Sequence, residues 1–231
     1  MKRFYETVDV VAAEPGFQVR LDDKPILTPG KAALVLPTRV LADAIAAEWS
    51  AQADDIRPET MPFLKLANTA LDRVAPRRRD VVKGLAGYGE SDLVCYLAEE
   101  PAGLVRRQEE LWRPLRAWIH ESHGVDLASS SGIVHVAQDS TALAKLHDLV
   151  EAHGDFALTV LAEFVTITGS IVIALALAEG AIDLEAAWAA AFVDELHQAE
   201  RWGHDEAAAE RRQRLKQELA EALGFLELLG A

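Results

Sequence analysis

The chain has 231 residues, and 23 Lys plus Arg stand against 37 Asp plus Glu, a formal net charge of −14. Nucleic acids and anionic membranes are held largely by Lys and Arg, so a chain of pI about 4.9 lacks the overall field for either. With 50% apolar and 26% charged residues it is a folded globular protein, and its single cysteine, Cys95, excludes an internal disulfide, a multi-cysteine zinc site and an iron–sulfur cluster.

Met1 to Glu6 carries no signal-peptide apolar core, so an unprocessed chain in the reducing cytoplasm is expected. Short runs with two-residue alternation follow: Phe4 to Val11, Phe17 to Leu21, Pro25 to Leu27 and Ala33 to Leu36. Pro15-Gly16, Asp22-Asp23 and Thr28-Pro29-Gly30 punctuate them. They predict a small antiparallel sheet, which needs a cover on one face. Thr38 is a candidate N-cap for an amphipathic helix through Trp49 to near Ala53, with Trp49 as its core anchor. Arg57 to Pro62 reads as a linker, so the expected division is a β-rich domain over 1–60 and a helical domain over 61–231.

Beyond it the periodicity predicts helices over Phe63–Val74, Pro76–Tyr88, Ser91–Ala98, Leu104–His123, Thr141–Thr166, Ser170–Glu179, Leu184–Trp202 and Glu206–Leu229. Gly180 suits a helix end and Asp183 the next N-cap, while Ile133 to Ala137 is the one strand candidate of this region. The fold class expected is α+β, a small mostly antiparallel β domain followed by a larger all-α domain. Val160 to Ala178 is 19 residues long with one charge, Glu163, enough to raise a membrane span. Glu163, the polar run Thr166 to Ser170 and the missing basic flanks favour a buried helix pair broken at Gly169.

Signatures of catalysis are sparse. There is no dinucleotide fingerprint, P-loop lysine or nucleophile elbow, and Cys95 sits in the apolar run Leu93 to Tyr96, where an inert buried thiol is expected. His197, Glu200 and His204 share one helical sector and could hold a metal, but one helix supplies only part of a coordination shell. The basic clusters Arg77-Arg78-Arg79, Arg106-Arg107 and Arg211-Arg212 read first as solvated helix faces, with an acidic partner surface as the alternative for the first two. On the Leu184–Trp202 helix, Glu195 falls within a stripe of Leu184, Trp188, Phe192, Ala199 and Trp202. A carboxylate in such a stripe needs a specific partner, either a donor within the fold or another protein.

Ordered motifs along the whole chain carry a resemblance. They are Arg3-Phe4-Tyr5, Leu21 to Pro25 with Thr28-Pro29, Ala46-Ala47-Glu48-Trp49, Met61-Pro62 with Leu66 to Ala70, Ser91 to Tyr96, Gly169-Ser170 with Leu175 to Ala178, and Asp194-Glu195 with Gln198 and Trp202-Gly203. Together they resemble the ATP synthase F(1) assembly chaperones specific for the alpha subunit, the Atp-twelve type of mitochondria and alpha-proteobacteria. The resemblance implies the same two-domain α+β fold, no catalysis and no cofactor. It implies a chaperone that holds the free alpha subunit and covers the surface later taken by the beta subunit. The family's essential glutamate falls on Glu195, with Asp194, Gln198 and Trp202 beside it as partner-binding residues, and its first-helix tryptophan falls on Trp49 as a structural residue. Leu196 and His197 depart from the commoner family pattern of an acid and an aromatic. Two other classes compete: a metal-dependent hydrolase built on His197, Glu200 and His204, and a small-molecule binding module in the helical domain.

Overall fold

The computed structural model describes residues 1–203 and 205–230. Strands β1 (Val8–Ala13) and β2 (Gly16–Leu21) pair antiparallel in the register Val10↔Val19, and β3 (Lys24–Pro25) and β4 (Val35–Leu36) complete the sheet against β2. Asp22 and Asp23 form the two-residue β2–β3 turn with φ of 48° and 64°, the left-handed pair that matches strand twist. Asp22 Oδ1 also accepts the N–H groups of Glu6 and Thr7 at 2.9 Å each, tying the turn to the chain before β1.

The cover for this sheet is α1 (Arg39–Ser50), which ends three residues before the expected Ala53. Thr38 Oγ1 accepts from the Leu41 N–H at 3.2 Å, as expected of an N-cap. Leu41, Ile45 and Trp49 recur at four-residue steps and are buried together with Val19, Leu21, Leu34 and Leu36. Trp49 is 8% exposed, meets Tyr5 edge-on at 5.5 Å, and its carbonyl accepts the Tyr5 hydroxyl at 2.6 Å.

After a 3₁₀ turn at Pro58–Thr60, α2 (Pro62–Thr69) runs into a π-helical turn at Ala70–Val74 and a 3₁₀ turn at Ala75–Arg77 before α3 (Arg78–Ala86). The first turn of α2 leaves unsatisfied N–H groups, and both Glu48 oxygens take them, from Phe63 at 2.7 Å and Leu64 at 2.9 Å. Burial pushes the Glu48 carboxyl up to about 7; the two backbone N–H bonds pull it down and Glu221 adds to the rise.

The region expected as a helix over Ser91–Ala98 is a 3₁₀ turn at Leu93–Cys95 followed by β5 (Tyr96–Leu97). This strand pairs in parallel with β6 (Ser130–Ser131), so the strand lies just before the expected Ile133–Ala137, and Ile133 is fully exposed. Between them runs α4 (Ala102–His123). The long helix expected over Thr141–Thr166 is two helices, α5 (Ser140–Glu151) and α6 (Asp155–Thr168). Gly169, at φ 70°, then breaks the apolar run before α7 (Ile171–Ala178).

Every residue from Ile171 to Leu177 is buried, which an octamer without a polar face requires, and α7 packs against α4 and α8 (Leu184–Ala191). No described helix is long and apolar enough to cross a membrane. Asp183 caps α8 through the Ala186 N–H at 2.8 Å, as the sequence predicts. The last expected pair differs: α8 stops at Ala191, Phe192 has a non-helical ψ of 17°, and α9 (Val193–Trp202) starts afresh before α10 (Glu206–Leu228).

The fold is α+β, a small antiparallel sheet at the N-terminal end followed by helices. The chain divides into two compact units. One comprises Met1–Arg78, Gly154–Val160 and the residues from Glu221 onward; the other comprises Arg79–His153 and Leu161–Ala220. The division expected at residue 60 therefore falls inside the first unit, whose sheet and α1 keep α2 with them through Glu48.

Candidate functional site

The four residues expected to bind a partner lie in the second unit, on α9, and the break at Phe192 changes their surroundings. Trp188 and Phe192 stack at 3.8 Å, and both are buried. They belong to the core and do not line the surface around Glu195. Trp202, placed on the same stripe by periodicity, is 78% exposed. The helical restart ends the single stripe, because a turn at Phe192 changes which side of the next helix faces inward.

The inward side of α9 packs on α4, and it carries polar groups. Asp194 Oδ1 accepts from Gln108 Nε2 at 2.7 Å, and Gln108 Oε1 in turn accepts the Ala98 N–H at 2.6 Å. Gln108 is buried, so this chain joins β5, α4 and α9 by hydrogen bonds that the surroundings do not let water replace. Alongside it, the Trp112 indole donates to the Ala190 carbonyl at 2.9 Å. Further along, Glu200 pairs with Arg107 at 2.7 Å, and the guanidinium holds the Glu200 carboxyl below its ordinary value.

The outward side forms a shallow cleft of about 330 Å³ with the start of α10. Glu195, Gln198, Ala199 and Trp202 supply one wall, and Ala208 and Arg212 contribute the other. The Glu195 side chain is 44% exposed and faces Arg211 at 3.4 Å and Arg212 at 3.9 Å. Both distances are long for bonded ion pairs, so the carboxylate is attracted by two guanidinium groups while keeping lone pairs for another donor. Of the two alternatives the stripe left open, a donor within the fold is present in these arginines, and the side chain is partly exposed as well. Of the four residues expected to bind a partner, Glu195, Gln198 and Trp202 share this cleft, whereas Asp194 points its carboxylate at Gln108 within the fold.

The buried acid of this unit is Asp92, which sequence reasoning passed over. Its side chain is wholly enclosed and accepts four donors: Ser170 Oγ at 2.6 Å, Ile171 N at 2.7 Å, Val94 N at 3.1 Å and Val172 N at 3.2 Å. Burial pushes its carboxyl up, and those donors pull it back. Ser170 Oγ also accepts from Ile173, so two side chains cap the apolar helix α7. The local sign was Ser91-Asp92 ahead of an apolar run, but its partner lies 78 residues on, beyond any local pattern.

The metal-hydrolase alternative finds little here. Glu200 is engaged by Arg107, His204 lies outside the described residues, and both ring nitrogens of His197 are buried without a partner among the described residues. Elsewhere, His147, Asp148 and Glu151 bring possible ligand atoms within 4.8 Å of one another on one turn of α5, where exposed acids commonly gather without a metal. Cys95 is buried, and burial with the neighbouring Asp92 charge pushes its thiol up to about 12, which makes it a poor nucleophile.

Comparison with known proteins places this geometry in a family. The model of the ATP12 chaperone protein family matches residues 2–120. The crystal structure of Atp12 from Paracoccus denitrificans is 39% identical, with a TM-score of 0.96 over 99% of this chain and 98% of that one. The Atu1473 protein of Agrobacterium tumefaciens is 40% identical, with a TM-score of 0.93 over 99% of this chain and 86% of that one. Mitochondrial atp12 of Schizosaccharomyces pombe is 21% identical over 221 residues, 90% of this chain and 76% of its own length. The family match, with a fold shared over nearly the whole length of a relative 39% identical, leads to one conclusion: the chain belongs to the ATP12 chaperone family, whose members are chaperones of ATP synthase assembly and not enzymes.

Proposed function

We propose that this chaperone binds the free alpha subunit of the ATP synthase catalytic head, in the cytoplasm, and shields the surface that the beta subunit later takes. The α9–α10 cleft is its recognition site, with Glu195 as the charged contact, Trp202 as the aromatic anchor and Gln198 as a polar contact at its edge. Asp194 acts by holding α9 in place through Gln108. The observation that carries this reading is Trp202 itself, a large aromatic side chain left 78% exposed beside a partly exposed carboxylate. Tryptophans are enriched among the residues that dominate binding energy at interfaces, and a charge at the edge of such a patch sets orientation.

Co-expression with a tagged alpha subunit tests it. Capture that added beta subunit displaces, and that Trp202→Ala weakens by about 2 kcal/mol or more, is the expected result. Absence of capture, or capture that beta leaves untouched, would contradict it.

A further inference from the structure

In the first unit, away from every residue discussed so far as a contact, a groove of about 740 Å³ runs along α2 and the π-helical turn that follows it. Pockets of this size accommodate ligands larger than a single side chain. One wall is the Pro29–Gly30 loop, and it is held rigidly. Asp72, in the π turn, accepts from Thr28 Oγ1 at 2.6 Å and from the Gly30 N–H at 2.7 Å. A Cβ at Gly30 would come 2.6 Å from Asp72 Oδ1, so any larger residue there would displace the Asp72 carboxylate from the loop. Met61 and Leu64 give the groove apolar surface. π-helical turns are rare and frequently mark functional positions.

Three polar features of this groove are unspent. Asn68 Oδ1 is buried and has no hydrogen-bond partner among the described residues. Lys65 and Arg73 are exposed and form no ion pair among the described residues, although the chain as a whole carries net charge −14. The acids of the same groove are already engaged, Asp72 by the loop and Glu59 by Arg57 at 3.1 Å. Arg77, four residues after Arg73, is also exposed, and Asp72 is the single acid between Lys65 and Arg79.

We infer that this groove binds an extended acidic peptide segment of a client protein. The accessible Asn68 amide NH₂ donates to a backbone carbonyl of the segment, Met61 and Leu64 seat an apolar side chain, and Lys65 and Arg73 each take an Asp or Glu beside it. A small anion fits less well, because it leaves the apolar surface at Met61 and Leu64 and most of a groove of about 740 Å³ unfilled. The site stands independently of whether the client is the alpha subunit.

Selection of phage-displayed random dodecapeptides on the immobilised full chain tests this without assuming a client. Enriched sequences should combine acidic residues with an apolar one. A synthetic peptide of the leading sequence should lose affinity about tenfold or more with each of Lys65→Glu, Arg73→Glu and Asn68→Ala, as expected for a charge-assisted or buried polar contact. Lys65→Gln and Arg73→Gln give smaller losses, and melting curves show each variant folded. The proposal is overturned if the selected peptides are not acidic, or if they bind the charge-reversed variants as well as the parent. Displacement by inorganic phosphate beyond that by sodium chloride of equal ionic strength would mark a small-anion site and overturn it equally.

Discussion

Replacement of Asp92 by Ala removes the acceptor for four donors at a point that water does not reach. Three of these are backbone N–H groups, of Val94, Ile171 and Val172, and the fourth is the Ser170 hydroxyl. A hydrogen bond is worth about 1 kcal/mol net, so four lost bonds come to roughly 4 kcal/mol, before counting donors stranded at about 1–3 kcal/mol each. Against this, the variant no longer buries a carboxylate, a relief of several kcal/mol in effective terms. The stranded donors decide the sign, because Ile171 and Val172 open a helix whose next residues are all buried and cannot turn toward solvent. The net expectation is a loss of about 3–5 kcal/mol, which for a chain of this size lowers the melting temperature by roughly 6–20 °C. Differential scanning calorimetry of Asp92→Ala and Asp92→Asn measures it, with Asn intermediate because its amide oxygen still accepts while its NH₂ opposes one backbone N–H. A melting temperature within 2 °C of the parent for Asp92→Ala, on the order of half a kcal/mol, would show that the four contacts do not hold α7 and would refute the reasoning.

Three further outcomes follow from the same geometry. Trp49→Ala should cost about 3–5 kcal/mol by removing a large side chain of α1 buried against Tyr5; an unchanged thermal melt with lost alpha-subunit binding would make Trp49 a contact residue instead. Glu48, its carboxyl raised to about 7, binds a proton more tightly folded than unfolded, so its contribution is full below its ordinary value of 4.5 and is lost as pH rises through about 7. The melting temperature of the parent should therefore fall more between pH 5 and pH 8 than that of Glu48→Gln, and parallel profiles would count against this. Cys95 should react with Ellman's reagent only after denaturation, since its thiol is buried and raised to about 12, and reaction of the native protein would disprove that placement.

What sequence revealed and what it hid divide along the range of the interactions. Asp22-Asp23 in the hairpin, Thr38 and Asp183 as caps, and Gly169 as a break act within four residues of themselves, and local chemistry identified each. Gly154, between α5 and α6, carried a comparable signal that the apolar periodicity across it outweighed. Ser91–Ala98 misled because a helix-like apolar spacing gave way to tertiary demands: Asp92 caps a distant helix, and two residues of β5 pair with two of β6. A two-residue strand has no period to detect. The residues after 60 stay with the sheet because Glu48 caps α2 across 15 and 16 positions, which no linker composition announces. At the candidate site, the family resemblance pointed to Glu195, Gln198 and Trp202, and the structure gathers these three in one cleft. Their surroundings were not legible, since Phe192 ends a helix without glycine or proline and separates Trp188 and Phe192 from the exposed cleft.

The most direct test of the central claim is alpha-subunit capture by Glu195→Lys, read beside its melting curve. Glu195 is 44% exposed and meets its arginines only at 3.4 and 3.9 Å. Loss of such a surface pair costs about 1 kcal/mol or less, so the variant should melt nearly as the parent does. A lysine in the cleft next to Arg211 and Arg212 replaces an acceptor with a third cation, and capture of the alpha subunit should be lost. Undiminished capture by the folded Glu195→Lys protein, or collapse of its fold, would contradict the assignment of this cleft as the recognition site.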